Sequence, residues 1–451
     1  MNPPDVTHGR RLPANASYVD PRGRLFREDD GMIRHIFAEH AAFYRDLFKE
    51  GVIGRLSDKG LLIESHIAKD RGDDGLFITH PRIEPISYPF EWSPAMLKAA
   101  ALHTIDLAVE LAEHDLTLQD ATPYNIVFDC SRSVFVDFTS ILPVSGDFLW
   151  KPYDQFLRFF YLPLLLYSLG AYRLSRMALY NYYTGIEYSD VRQLLPLKMR
   201  LRNFLTLDLP YYVEKVYPGI QKLPLSRYMD RNMRKRFFLK LRTKVERIEI
   251  RGGTNTWSGY YDKTDISEKY RVTQQVLRAV KPVRVLDIGA NTGQLSFLAA
   301  EEGAIVAAAD NSWECTDIIF REAVKRKARV LPLCMDVLVP TPSFGWNLCQ
   351  YSDFFSRFKS DLVIMGAILH HLVLKQWQDF DRIADFADKI TERYLLIEFV
   401  EGEDEMCKKL GPAVPATYTR QECIRALGRY FRIVSEHPLT PTRRFCLCEK
   451  R

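Results

Sequence analysis

The stretch Val283 to Phe297, VRVLDIGANTGQLSF, constrains the fold of this chain more than any other. VRVLDI has the apolar, β-branched content of a buried strand. Glycines at 289 and 293 interrupt it, and GQLSFLAAEEG then carries helical spacing closed by a glycine. The alternation continues: AIVAAAD is strand-like, CTDIIFREAVKRK helical, and ARVLPLCMD, DLVIMGAIL and RYLLIEFV strand-like. Apolar strands separated by helices predict an α/β, Rossmann-like domain, its mostly parallel sheet covered on both faces. Glycines at the first turn let the backbone approach a ligand with no β-carbon between them. The N–H groups that open the next helix can face a carboxylate or phosphate. The spacing Gly289-x-Asn291-x-Gly293 is not the full GxGxxG of a dinucleotide turn. Asp310 follows the second strand, where an acid can accept from both hydroxyls of a ribose. Asp336 follows the third, where it can accept from an exocyclic amine.

A D-x-G-x-x-x-G turn, an acid after the second strand and an acid after the third resemble the class I S-adenosylmethionine-dependent methyltransferases, over about residues 254 to 451. The resemblance implies S-adenosylmethionine as cofactor. Asp287 and the turn Gly289, Ala290, Asn291 and Gly293 would hold its methionine part, Asp310 with Asn311 its ribose, and Asp336 with Val337 its adenine. Trp257 and Tyr260, in NTWSGYYDK, stand where similar enzymes fold a segment over the cofactor; plain packing is the other reading. Methyl transfer is an in-line displacement at a sulfonium, so the enzyme aligns the nucleophile and removes a proton from O–H or N–H. His370 and His371 follow the fourth strand, and Glu398 lies in LLIEFVEGED after the fifth. All three are candidate catalytic bases, and the histidine pair has the alternative role of ordering its loop.

The preceding 250 residues carry a second pattern. In HDLTLQDATPYNIVFDCSRSVFVDFTS, Asp120 precedes Asn125 by five positions and Asp137 follows it by twelve. A returning hairpin would bring the second acid beside the first pair. The segment resembles the catalytic segment of kinase-like phosphotransferases, which implies a base and magnesium ligands and makes Mg-ATP a candidate second ligand. The chain departs from that family: residues 1 to 90 hold neither a glycine-rich phosphate loop nor a lysine in a VAIK-like context, and Leu118 stands where many such enzymes have histidine. A degenerate scaffold fits these departures better than an active phosphotransferase. The expected organisation is a small α+β lobe over 1–95, a helix-rich kinase-like region over 96–250 ending in a basic helix, and the cofactor-binding domain over 251–451. This α+β region followed by an α/β domain accounts for the length.

Read in order, LQDATPYNIVF, VFVDFTSI, WKPYDQFLRFFYLPLLL, NTWSGYY, VLDIGANTG, ILHHL and IEFVEGEDE resemble a bacterial family of long methyltransferases related to the nodulation protein NoeA, from about Leu61 onward. That resemblance implies the tailoring of a secreted or surface metabolite or glycan, without fixing an acceptor. The expected acceptor is a small molecule or a saccharide-type intermediate, methylated on oxygen. Other readings are a bifunctional enzyme with an ATP-dependent N-terminal domain, and an RNA or protein methyltransferase using the basic run Arg231 to Arg247. A net charge of +5 makes nucleic acid a poor expectation. The eight cysteines lack zinc spacing, so no metal site is expected. FLRFFYLPLLLYSLGA, interrupted by Arg158 and Pro163, reads as a buried helix rather than a membrane span, and cytoplasm is the default location. Oligomeric state is not set by the sequence.

Overall fold

The computed structural model describes residues 12–13, 20–28, 31–68, 75–144, 150–208, 230–250, 267–410 and 414–451. The chain opens with an antiparallel sheet in the order β1-β2-β3-β5-β4. Its strands are β1 (Leu12–Pro13), β2 (Gly23–Glu28), β3 (Gly31–Phe37), β4 (His66–Ile67) and β5 (Gly75–His80). Helices α1 (Ala38–Lys49) and α2 (Val52–Asp58) join β3 to β4. Period-two alternation along β3 sends Arg34 and Ile36 to one face, and both are buried. GLFITH forms a full strand, whereas LLIESHI contributes only its last two residues.

Helix α3 (Pro94–Ala112) starts where a helix should: Ser93 accepts the Met96 N–H at 3.4 Å, and proline stands at the first helical position. Behind it, β6 (Leu116–Leu118) pairs with β9 (Ile141–Pro143), and β7 (Ile126–Asp129) forms a hairpin with β8 (Arg132–Phe135). The apolar run from Tyr153 to Ser168 is helical and largely buried. Its Leu157–Tyr161 section widens to a π-turn just before Pro163, which has no N–H to donate. No helix among the described residues is long and apolar enough to cross a membrane.

The basic helix Arg231–Glu246 is less open than its composition suggests. It buries Phe238, Leu241 and Val245, and its cations meet acids on and just after α3. Arg242 pairs with Asp106 at 2.6 Å, Arg231 and Arg234 each reach Asp115 at 2.5 Å, and Lys235 pairs with Glu113.

The second half is the expected α/β sheet, in the order β12-β11-β10-β13-β14-β16-β15. Strands β10 (Arg284–Ile288), β11 (Ile305–Asp310), β12 (Val330–Cys334), β13 (Ser360–Met365) and β14 (Thr391–Val400) run parallel. The sequence pattern did not disclose the last two, β15 (Phe431–Thr440) and β16 (Arg443–Lys450). β16 inserts antiparallel between β14 and β15. Strand order reverses between β10 and β13, where open α/β sheets leave a crevice at the carboxyl ends of their strands.

One apolar cluster runs through both halves, from Trp92, Phe128 and Leu164 to Phe320, Leu331 and Phe354. Phe128 meets Phe320 edge-on at 5.7 Å between centroids, and Phe90 meets Phe344 at 5.4 Å. Inside this contact lies a buried ion pair. Arg357 reaches Glu91 through two hydrogen bonds of 2.6 and 2.9 Å, with the side chains 4% and 2% exposed. Thr341 donates to the same carboxylate at 2.5 Å and the Tyr88 N–H at 2.8 Å, while the guanidinium lies 4.0 Å from the Tyr88 ring centre. The halves therefore share a core and not merely a chain.

Candidate functional site

At the switch point, β10 ends in a turn with Gly289 at φ +73°, Asn291 at +51° and Gly293 at +83°. Asp310, the last residue of β11, holds this turn by accepting the Asn291 N–H at 2.8 Å, and it also accepts the Ser312 N–H at 2.8 Å. The glycines serve backbone conformation and packing here, and Gly289 also lines the cleft. A β-carbon on Gly293 would stand 3.0 Å from Ile319 and Phe297, and one on Gly289 would stand 3.2 Å from Ile368.

Gly289, Asn291, Asp310, Asn311, Asp336 and Val337 line one cleft, together with His370 and His371. Ala290, Gly293 and Asp287 stand behind it. Asp287 is 2% exposed and accepts the Ser296 hydroxyl at 2.6 Å, tying the strand to the following helix. Burial pushes the Asp287 and Asp310 carboxyls up to about 6. Trp257 and Tyr260 lie outside the described residues. Met335, Gly366, Ala367, Ile368, Lys375 and Met406 are among the other lining residues and were not anticipated. Ala367 has φ +53°, a left-handed conformation uncommon for a residue with a β-carbon, and it follows the end of β13 at the cleft.

The three candidate bases differ sharply. His370 is 1% exposed, and its Nδ1 finds no hydrogen-bond partner among the described residues. Burial, and then the neighbouring His371, push it down to about 3. The His371 ring lies 4.4 Å from that of His370 and is more open; burial and Lys375 hold it below the usual histidine range. Both rings are therefore neutral at pH 7. Glu398 is not a lining residue. It is fully buried in β14, with Lys269 Nζ 2.7 Å from Oε2 as an ion pair outside hydrogen-bond geometry. Its carboxylate lies behind Gly366, 4.0 Å from where a β-carbon on that glycine would be. Arg443 forms paired 2.8 Å contacts with Asp404, so it is engaged internally.

The cleft fits S-adenosylmethionine by the chemistry of its donor set. The carboxylates at the end of β11 and two residues past β12 line it, apolar Met335, Val337 and Ile368 stand beside them, and the Nδ1 of His370 is a buried polar atom lacking a partner among the described residues.

A second cleft gathers Asp120, Asn125 and Asp137. The β7–β8 hairpin brings them together, with the Val136 N–H donating to the Asn125 carbonyl at 2.9 Å. Gln155 donates to Asp120 at 2.9 Å. Burial lifts Asp137 to about 6, opposed by Arg34 and reinforced by Asp20 and Asp120. Arg34 enters from β3 and donates to the Thr139 hydroxyl at 3.1 Å, and that hydroxyl donates to Asp20 at 2.5 Å. The Nδ2 of Asn125 is buried with no partner among the described residues. Gln350 and Tyr351 line this cleft from the other half of the chain, a composite character that local sequence could not disclose.

No family model matches the chain. It is similar to nodulation protein NoeA of Rhizobium meliloti (strain 1021), 29% identical over 452 residues that cover 95% of this chain and 94% of the relative. Among solved structures, WbdD, described as a bifunctional kinase-methyltransferase, is 18% identical with a TM-score of 0.31. The match covers 43% of this chain and 42% of WbdD, so the chain spans less than half the length of that neighbour. Magnesium protoporphyrin IX methyltransferase from Synechocystis PCC 6803, with bound SAH, is 18% identical over 45% of this chain and 90% of its own, with a TM-score of 0.31. The 16S rRNA methylase RmtB is 18% identical over 41% and 63%, with a TM-score of 0.28. Strand order makes the C-terminal half a Rossmann-like, mostly parallel α/β domain with its cleft at the switch point.

Proposed function

We propose that the chain transfers a methyl group from S-adenosylmethionine to a hydroxyl of a small-molecule or saccharide-type acceptor. The observation that carries this reading is the convergence of Asp310, Asp336 and two neutral histidines on one cleft at the switch point of the sheet. Asp310 with Asn311 would hold the ribose hydroxyls, and Asp336 with Val337 the adenine edge. When bound, the cofactor supplies an electrophilic methyl group on a sulfonium. The chain's own part is to orient the acceptor and take its proton. His371 suits that role, because its ring is neutral and reaches the cleft. His370, more deeply buried and less basic, holds the His371 ring in place. The ion pairs along the Arg231–Glu246 helix count against an RNA acceptor, because much of its charge is already matched. Calorimetric titration with S-adenosylhomocysteine tests the reading: wild type binds, and Asp310→Ala binds at least about tenfold more weakly, or 1.4 kcal/mol. Equal affinities would defeat it.

A second reading, a bifunctional enzyme that also turns over Mg-ATP, draws support from the meeting of Asp120, Asn125 and Asp137 opposite Arg34. Asp20 weighs against it, because its carboxylate faces the same arginine that would meet a phosphate. Magnesium-dependent ATP hydrolysis that disappears in Asp137→Ala would support phosphoryl transfer; no hydrolysis by wild type would leave a scaffold.

A further inference from the structure

The helix Tyr172–Tyr180 belongs to the N-terminal half, yet it packs against the strand ends that carry the cofactor acids. Arg176 donates NH2 to the carbonyl of Cys334 at 2.8 Å and Nε to the carbonyl of Phe90 at 3.1 Å. Cys334 is the last residue of β12, and the next three, Met335, Asp336 and Val337, line the cofactor cleft. One turn earlier, the Tyr172 ring lies 5.0 Å from Trp313, the first residue of the helix that follows Asp310 and Ser312. A single helix therefore touches the continuations of both β11 and β12.

β12 is the outer strand of its sheet, with a neighbouring strand on one side only. Its carboxyl end is thus less constrained by pairing than those of β10 or β13. A guanidinium is planar and its donors are fixed relative to one another, so Arg176 locks a carbonyl of each half into one geometry. Small displacements of a cofactor wall are costly to binding and reaction alike.

We propose that Arg176 is a positioning residue for the cofactor. It fixes the adenine-side wall Met335–Val337, and through it the affinity for S-adenosylmethionine depends on the N-terminal half. The inference rests on the reading of this cleft as the cofactor site.

The test is calorimetry of the full chain with two probes, S-adenosylhomocysteine and 5′-methylthioadenosine, the second lacking the amino-acid part. Arg176→Gln weakens both by the same factor, about tenfold. Arg176→Lys, which keeps the charge and one donor direction, recovers part of the loss. Tyr88→Phe removes a different contact between the halves, the 3.1 Å bond from Tyr88 to the Ser352 carbonyl, and leaves both affinities within twofold of wild type. The proposal is overturned if Arg176→Gln binds within twofold of wild type, or if Tyr88→Phe weakens binding equally, which would mark general loosening of the interface. Failure of wild type itself to bind either probe would instead refute the cofactor-site reading.

Discussion

Replacing Arg357 with methionine takes the cation out of a pair that joins the two halves inside their common core. Methionine keeps an unbranched apolar stem in the space, so what is lost is the charge and the guanidinium's hydrogen bonds, including those to the Ile86 carbonyl at 2.7 Å and the Ser352 carbonyl at 3.1 Å. Glu91 would retain only its bonds from Thr341 and the Tyr88 N–H, and its carboxylate would stay buried without a counter-charge. Breaking a buried pair from one side costs about 3–5 kcal/mol. Loss of the cation over the Tyr88 ring, 4.0 Å away, adds about 0.5–2 kcal/mol. A loss of about 5 kcal/mol is therefore expected for Arg357→Met. The double variant Glu91→Gln, Arg357→Met removes the stranded charge and recovers at least half of that loss. Urea unfolding followed by far-ultraviolet circular dichroism and by tryptophan fluorescence measures both, as shifts of midpoint at constant slope. Wild type unfolds with coincident transitions by the two probes, because the apolar cluster crosses between the halves. A cost below about 1 kcal/mol for Arg357→Met would refute the reasoning, as would two separate transitions in wild type.

Three further outcomes are expected. In the fold, Asp287 keeps its proton up to about pH 6, whereas an unfolded aspartate loses it near the ordinary 3.8, so its contribution is present below about pH 4 and is lost as pH rises through 6. At 1.36 kcal/mol per unit, Asp287→Asn is more stable than wild type at pH 8 by about 2–3 kcal/mol, and the gap closes near pH 4; a pH-independent difference in denaturation would exclude this. In the role proposed for it, Asp310 would have to be ionised to accept from two ribose hydroxyls, so S-adenosylhomocysteine affinity falls as pH drops below about 6, and titrations of Asp310→Asn give a weaker, pH-flat value. Gly293→Ala combines a left-handed backbone with contacts of 3.0 Å and lowers stability by about 2 kcal/mol or more in thermal melts; an unchanged melting temperature would contradict it.

What could be read from the chain alone was local. Strands β10 to β14 announce themselves because parallel strands buried on both faces are runs of apolar residues, and glycines mark the turn after β10. The Asp120–Asn125–Asp137 spacing sufficed to place three side chains in one cleft, because a tight hairpin leaves little choice. β15 and β16 escaped: FRIVSEHPLT mixes polar residues and a proline, and its burial alternates only weakly. Glu91 and Arg357 were illegible for another reason. They are 266 positions apart, and nothing local to either distinguishes a buried ion from a solvated one. The basic helix misled in the same way, since the acids that neutralise it stand on and just after α3, more than a hundred residues earlier. Glu398 had the position of a candidate base but not the exposure, because Lys269 holds it inside the sheet.

The place of β16 bears on how such a chain is made. Of the seven strands of its sheet among the described residues, the latest to leave the ribosome is not at the rim but between β14 and β15. Until residues 443–450 have emerged, β14 and β15 each present an unpaired edge, and the face that the N-terminal half packs against belongs to an unfinished sheet. Synthesis from one end to the other therefore cannot complete the C-terminal half piece by piece. A nascent chain arrested before Arg443 would be an adhesive intermediate with open strand edges, and a client for chaperones. The cleft at the switch point, whose turn and acids are translated far earlier, would gain its final form only when this closing strand is inserted.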